Sequence, residues 1–265
     1  MPRRPSTVAP EPAAASAAAG SREVSVKLTL EYDGTRFHGW AIQPGKRTVA
    51  GELQAALETL LRLPVELTVA GRTDRGVHAR GQVVSYDGPP PPLRNLNALL
   101  PHDVAVLAAE PAPPGFNARL DARSRSYLYR VHTRRWGPSP FEVGRALWWP
   151  HRVDLGALQA CAAAIAGEHD FTAFTPSGGY HRRFERVVLA ASWAAGGEQT
   201  LEFHIEADAF MRHMIRVLVG TMLEVAGDRR TLEDFTALLA GAPRSAAGPT
   251  APAHGLYFLG ARYPG

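Results

Sequence analysis

Cysteine is almost absent from this chain of 265 residues, with Cys161 its only example. A lone thiol excludes an internal disulfide and any zinc site built on cysteines. Cys161 falls in an alanine-rich stretch with helical spacing and reads as a small core residue. Lysine is nearly as scarce. Lys27 and Lys46 are the only two among 29 basic residues, so almost every positive charge is a guanidinium, able to grip phosphate in bidentate fashion and to stack on bases. A GC-rich genome would give the same bias without any functional demand. No apolar run has the length of a membrane span. The N-terminal residues include Arg3 and Arg4 but lack the apolar core of a secretory signal, so the expected location is cytoplasmic. His78 lies four residues after Asp74 and His213 lies far away, with no further ligand cluster, so no metal is expected.

What is present suits a soluble globular protein. The apolar fraction is 45% and the formal net charge +4, a mildly basic balance compatible with a polyanionic partner. Residues 1–21 have an Ala/Pro/Ser composition that predicts a disordered tail. The remainder divides into two halves, 22–115 and 116–265, that carry the same pattern of elements.

In the first half, Val24, Val26, Leu28 and Leu30 alternate along a strand that ends near Asp33. Residues 48–62 carry a helical stripe of Val49, Leu53, Ala56, Leu57, Leu60 and Leu61, with Thr48 placed to cap it. Strands follow near 65–70 and 81–87, then a short helix at 93–100 and a strand at 103–109. The second half predicts a strand at 124–133, a helix at 154–167, strands near 184–194 and 200–209, helices at 211–226 and 231–240, and a last strand at 256–262. Each half thus reads as the split βαβ arrangement of ferredoxin-like folds. The expected fold is α+β: two such halves joined into a central mixed, mainly antiparallel sheet of eight main strands, helices on one face, and a cleft between the halves.

The segment with most chemistry is Ala70-Gly71-Arg72-Thr73-Asp74-Arg75-Gly76-Val77-His78-Ala79. It sets one carboxylate between two arginines and two glycines at the end of an alternating apolar run. Flanking guanidiniums would hold the acid ionised, and the glycines would let a large ligand approach the backbone. An ionised Asp there is a candidate nucleophile or base. In isolation, an Asp-Arg-Gly run is an ordinary turn.

Together with its surroundings the decapeptide resembles the catalytic motif of the tRNA pseudouridine synthase A family. Matching pieces follow in order: Tyr32-Asp33-Gly34-Thr35, Gly39-Trp40, Thr48-Val49, Gly81-Gln82-Val83, Phe116-Asn117-Ala118-Arg119, Arg125-Ser126-Tyr127-Leu128-Tyr129, Asp170-Phe171, Phe210-Met211-Arg212-His213-Met214-Ile215-Arg216 and Ala251-Pro252-Ala253-His254-Gly255-Leu256-Tyr257. The resemblance implies that Asp74 is the essential acid, that Tyr127 stacks on a flipped uracil, that Arg216 pairs with the carboxylate, and that Leu256 lines the uracil pocket. Arg72 would hold Asp74 ionised or displace the flanking stack. Arg212, placed at i−4 from Arg216, would share its helix face, and Arg75 would face phosphate or solvent. The expected partner is tRNA at its anticodon stem-loop, positions 38, 39 and 40, bound by a homodimer without cofactor or metal. Ala41 and Ala50 depart from the family pattern, where glutamine is common, and leave local RNA contacts open. Arg36, Phe37 and Trp40 are candidates for further RNA contact, and His78 reads as a hydrogen-bonding loop residue. Two rival readings stay in play. One is a non-catalytic RNA-binding module of the same fold. The other is a glycosidase-like enzyme, which needs a second carboxylate near the first.

Overall fold

The computed structural model describes residues 24–178 and 182–264; the expected tail at 1–21 lies outside them. The first half runs β1 (Ser25–Tyr32), α1 (Val49–Leu61), β2 (Thr68–Val69), β3 (His78–Asp87), α2 (Leu93–Leu99) and β4 (Val104–Ala112). Its strands lie in the order β4-β1-β3-β2, every neighbour antiparallel, as a split βαβ unit requires. β1 buries Val26, Leu28, Leu30 and Tyr32 on one face, while Lys27, Thr29 and Glu31 keep partial or full access to water. That face meets α1, whose Val49, Leu53, Ala56 and Leu57 belong to the same core. Thr48 caps α1 as its position suggests, its Oγ1 accepting from the Gly51 N–H at 3.3 Å.

The second half comprises β5 (Ser124–His132), β6 (Leu147–Trp148), α3 (Leu155–Ala164), β7 (Gly167–Asp170), β8 (Glu185–Gly197), β9 (Thr200–Ala207), α4 (Met214–Ala226), α5 (Leu232–Ala237) and β10 (Leu256–Arg262). β10, β5, β9, β8 and β7 lie side by side and antiparallel, and β6 adds a short parallel pair to β5. The halves meet where β10 runs parallel to the start of β3, Tyr257 opposite His78 and Phe258 opposite Ala79. The result is an open α+β sheet of ten strands among the described residues.

Ten strands replace the eight expected, for physical reasons. β7 has no apolar alternation, so its sequence carries no strand signal, yet it pairs with β8 at the sheet edge through its backbone. The chain therefore leaves the α3 helix at Ala164, earlier than the expected 167. β2 contracts to two residues because the chain turns away after Val69, and β10 takes the place beside the first residues of β3. His78 is consequently the first residue of a strand rather than part of a loop.

α4 is the most enclosed helix. Of its thirteen residues only Arg216 and Glu224 are not buried, so its apolar surface is nearly a full cylinder. A helix buried all round needs cover on every side. α3 and α5 supply part of it, and the segment before β10 supplies more: the Gly248 N–H donates to Thr221 Oγ1 at 3.0 Å, and the Ala251 N–H to the Arg216 carbonyl at 3.0 Å. Each fully buried Leu, Val or Met contributes about 1.5–3 kcal/mol, so α4 anchors whatever it carries. Cys161 is buried on α3, and burial pushes its thiol up to about 12.

The junction of the two halves depends on Gly81. A side chain there would collide with the Leu259 carbonyl of β10, a backbone atom that cannot step aside. Gly81→Ala is expected to lose about 1–3 kcal/mol of stability, read as a lower urea midpoint by tryptophan fluorescence; an unchanged midpoint would refute this account of the junction.

Candidate active site

The segment from Ala70 to Val77 has no regular structure beyond its turns, yet its backbone is pinned at Ala70, Gly71, Thr73, Asp74 and Val77. The Ala70 N–H donates to the Val83 carbonyl at 2.9 Å, and the Ala70 carbonyl accepts from Arg125 Nε at 3.2 Å. Gln82 Nε2 donates to the Gly71 carbonyl at 2.9 Å. Thr73 is held twice, its Oγ1 sharing a 2.7 Å hydrogen bond with the Tyr32 hydroxyl and its carbonyl accepting from the Trp40 N–H at 3.0 Å. The Val77 N–H closes the turn onto the Asp74 carbonyl at 3.1 Å. A loop held this way presents one side chain in one direction, which is what a preorganised reactive group requires. That side chain is Asp74, which keeps 41% of its side-chain surface open.

Asp74 opens into a cavity of about 530 Å³ between the two halves. The first half contributes Gly71, Arg72, Thr73 and Asp74; the connection between halves contributes Arg119 and Leu120; the second half contributes Arg125, Tyr127, Phe210, Arg212, His213, Arg216 and Leu256. Asp74 is the only carboxylate among these lining residues, facing five arginines. Such a surface attracts a polyanion and offers one acid to it. It does not offer the pair of carboxylates on which glycoside hydrolysis ordinarily depends.

Tyr127 forms part of the wall. Its ring packs edge-on against Phe210 and Phe258, each centroid 5.0 Å away. Gly71 permits this closeness, since a Cβ there would sit 3.0 Å from Phe258 and 3.3 Å from the Tyr127 hydroxyl. Burial, more than any neighbouring charge, pushes the Tyr127 phenol well above its ordinary range, so it remains protonated at neutral pH. No protein hydrogen bond to its hydroxyl occurs among the described residues, which leaves that group for a ligand.

His213 stands beside the Asp74 carboxylate, its Nε2 3.4 Å from Oδ2. His213 adopts a left-handed conformation, φ 61°, just before α4 begins, an uncommon geometry for a residue with a Cβ. Burial holds its pKa below the ordinary histidine value. Asp74 draws it upward, while Arg216, Arg212 and Arg244 add to the depression. At neutral pH the ring is thus uncharged, and the contact with Asp74 is that of a neutral neighbour rather than an ion pair. Arg216 follows in the first turn of α4. Its Nε donates to the Ala251 carbonyl at 2.7 Å, and its pKa is lowered chiefly by burial, with Asp74 acting against that. It reaches Asp74 through its field and not by direct contact.

Six of the seven residues singled out from sequence therefore line one cavity: Asp74, Arg72, Tyr127, Arg216, Arg212 and Leu256. Arg75 is exposed and lies outside it. Neither Arg72 nor Arg75 forms an ion pair with Asp74, contrary to the expectation that flanking guanidiniums hold it; both are exposed, Arg72 within the cavity lining and Arg75 outside it. Arg212 reaches the cavity from a turn and not from the helix face, because the left-handed His213 stops α4 at Met214. Phe37 and Trp40 are buried, so neither offers a stacking surface to RNA. Among the lining residues not singled out as site residues are His213, Phe210, Arg119, Leu120 and Arg125. Arg125 donates to the carbonyls of Ala70, Ala122, Arg119 and Asp208, stitching both halves together beside Asp74. Its position two residues before Tyr127, on the same strand face, was the available signal.

Comparison with known proteins gives the family of the chain. A family profile described as tRNA pseudouridine synthase matches residues 161–264. The chain is 44% identical over 252 residues to the tRNA pseudouridine synthase A of Frankia casuarinae, covering 91% of this chain and 90% of that one. It is 41% identical over 266 residues to the Mycobacterium leprae protein of the same name, covering 92% and 91%. For the Bacillus pumilus protein, also so named, the figures are 37% over 241 residues, 88% and 97%.

The electrostatic arrangement predicts how His213 titrates. Its folded midpoint should lie below the ordinary histidine value, and Asp74→Asn, by removing the one charge that draws it upward, should lower it further. Imidazole chemical shifts followed by NMR across pH 4–8 measure both; an upward shift in the variant would contradict the assigned contact.

Proposed function

Because this chain belongs to the tRNA pseudouridine synthase A family, we propose that it isomerises uridine to pseudouridine in the anticodon stem-loop of tRNA, at positions 38, 39 and 40, with Asp74 as the essential acid. The supporting observation is the single accessible carboxylate, rigidly presented in an arginine-lined cavity large enough for a nucleotide.

The reaction is internal to one nucleotide. The bond from uracil N1 to C1′ breaks, the base turns while held, and C5 bonds to C1′; N1 gains a proton and C5 loses one. Stacking hides these atoms, so the nucleotide must leave the stack at a cost of about a few kcal/mol. Arginines gripping the neighbouring phosphates offset that cost. Arg72, Arg212 and Arg216 stand where they can do so. The Tyr127 ring and Leu256 form the apolar wall against which the free base rests. A protonated phenol serves there as a stacking and hydrogen-bonding surface, and becomes a proton acceptor only if the bound substrate changes its surroundings. Asp74 acts either as a nucleophile toward the sugar or base, or as the base that takes a sugar proton. Both routes require an open, ionised carboxylate, and neither calls for a cofactor or metal. The same reading includes a homodimer in the cytoplasm, with one tRNA touching both subunits.

A non-catalytic RNA-binding module would keep the arginines but have no need of the pinned acid. Unmodified tRNA transcripts incubated with the protein and with Asp74→Ala, then mapped chemically for pseudouridine, separate the two. Modification near the anticodon is expected with the wild type and none with the variant. Equal modification by both would remove Asp74 from the reaction, and none by the wild type on any tRNA would favour the binding module. Asp74→Asn should still bind tRNA within about tenfold of wild type in a filter-binding assay, because phosphate contacts dominate affinity; near-total loss would argue against that division of labour.

A further inference from the structure

Leu120 stands at the rim of the Asp74 cavity with 78% of its surface exposed, among the most exposed large apolar side chains of the described residues. Slack in the chain does not account for it. Asn117 Oδ1 accepts from the N–H groups of Arg119 and Leu120, both at 3.0 Å, and Asp121 Oδ2 accepts from the Asn117 N–H at 2.8 Å. Next to them Ala118 is wholly buried, its N–H donating to Ser85 Oγ at 3.0 Å and its carbonyl accepting from the Tyr263 hydroxyl at 2.7 Å. Beyond the turn, the Arg123 N–H bonds the Arg262 carbonyl at 2.8 Å, and Arg125 grips the Arg119 and Ala122 carbonyls from beneath. The turn is held on both flanks and from below, and what it holds out into water is a leucine.

We propose that Leu120 is a wedge: it enters the base stack at the step the target uridine vacates and keeps that nucleotide from returning. The inference rests on the reading of the cavity as a site for a flipped nucleotide. An aliphatic side chain on a fixed support fills the gap left by an extruded base and shields the apolar face of its neighbour. Arg119, its neighbour and also on the rim, lies within the same turn to meet the adjoining phosphates. Asp74 and Tyr127 act on the base once it has left the stack; Leu120 acts on the stack it leaves behind. It is therefore a positioning residue and touches none of the reacting atoms.

The discriminating experiment compares two RNAs of the same sequence around the target uridine, one a folded hairpin with that uridine stacked in the stem, the other an open strand in which it is unstacked. For Leu120→Ala, kcat/KM on the hairpin should fall by at least about tenfold, while on the open strand it stays within about threefold of wild type. Leu120→Met, which keeps apolar length, should restore the hairpin reaction. Thermal melting of each variant, unchanged from wild type, separates this result from unfolding. An equal loss on both RNAs, or no loss on either, overturns the wedge. A variant whose only change is in its sedimentation would assign Leu120 to a protein contact and also overturn it. Wild-type protein that modifies neither RNA nor any tRNA would overturn the underlying reading, and the wedge with it.

Discussion

One buried histidine at the seam between the two halves conditions everything around it. His78 is 3% exposed and stacks on Tyr257 across the β3–β10 junction, ring centroids 4.7 Å apart. Its Nδ1 accepts the Gly34 N–H at 3.0 Å, so the remaining proton belongs on Nε2, which faces the carbonyls of Gly144 and His254 at 3.0 and 3.1 Å. Burial keeps its pKa below the ordinary value, and with Nδ1 already occupied as an acceptor the nearby Asp33 carboxylate at 3.3 Å is not its ion-pair partner. A neutral ring thus joins four distant parts of the chain at the point where only two residue pairs connect the sheets. The reactive loop ends one residue earlier, at Val77, so the position of Asp74 is inherited from this junction.

The cavity shows how charge is managed at such a seam. Burying a guanidinium is costly unless its donors are satisfied. Arg125 and Arg216 meet that demand with backbone carbonyls and leave Asp74 unclaimed. The neutral His213 fills the space beside the acid without neutralising it. A carboxylate that is not locked into an ion pair keeps its lone pairs for a substrate, and the surrounding arginines supply attraction at a distance instead.

Much of this was legible beforehand, for identifiable reasons. β1, α1 and β9 fall close to their expected limits because each has a drier and a wetter face, and that contrast writes a period of two or about four into the chain, whereas β5 and β10 bury consecutive residues on both faces. Periodicity also indicates α4 but does not report how many neighbours a helix has, and so carries no sign that this helix is enclosed nearly all round. β7 escaped because edge pairing uses backbone groups that every residue carries. Phe37 and Trp40 were offered as RNA contacts because aromatic type alone does not distinguish a core ring from a stacking platform; their burial does.

The sequence by itself determined the family, the paired split βαβ pattern, the reactive decapeptide and most of the cavity's residue types, since these depend on local periodicity and on motifs read along the chain. Only the tertiary structure decided which groups meet. His213 rather than Arg216 touches Asp74, Arg72 lines the cavity without pairing with the acid, and Arg125 and Leu120 frame the opening. Those outcomes turn on a left-handed residue, a loop pinned by side chains from β1, β3 and β5, and a seam of two residue pairs. Contacts such as Tyr32–Thr73 and His78–His254 join residues 41 and 176 positions apart, and no local pattern in a single chain encodes a distance across space.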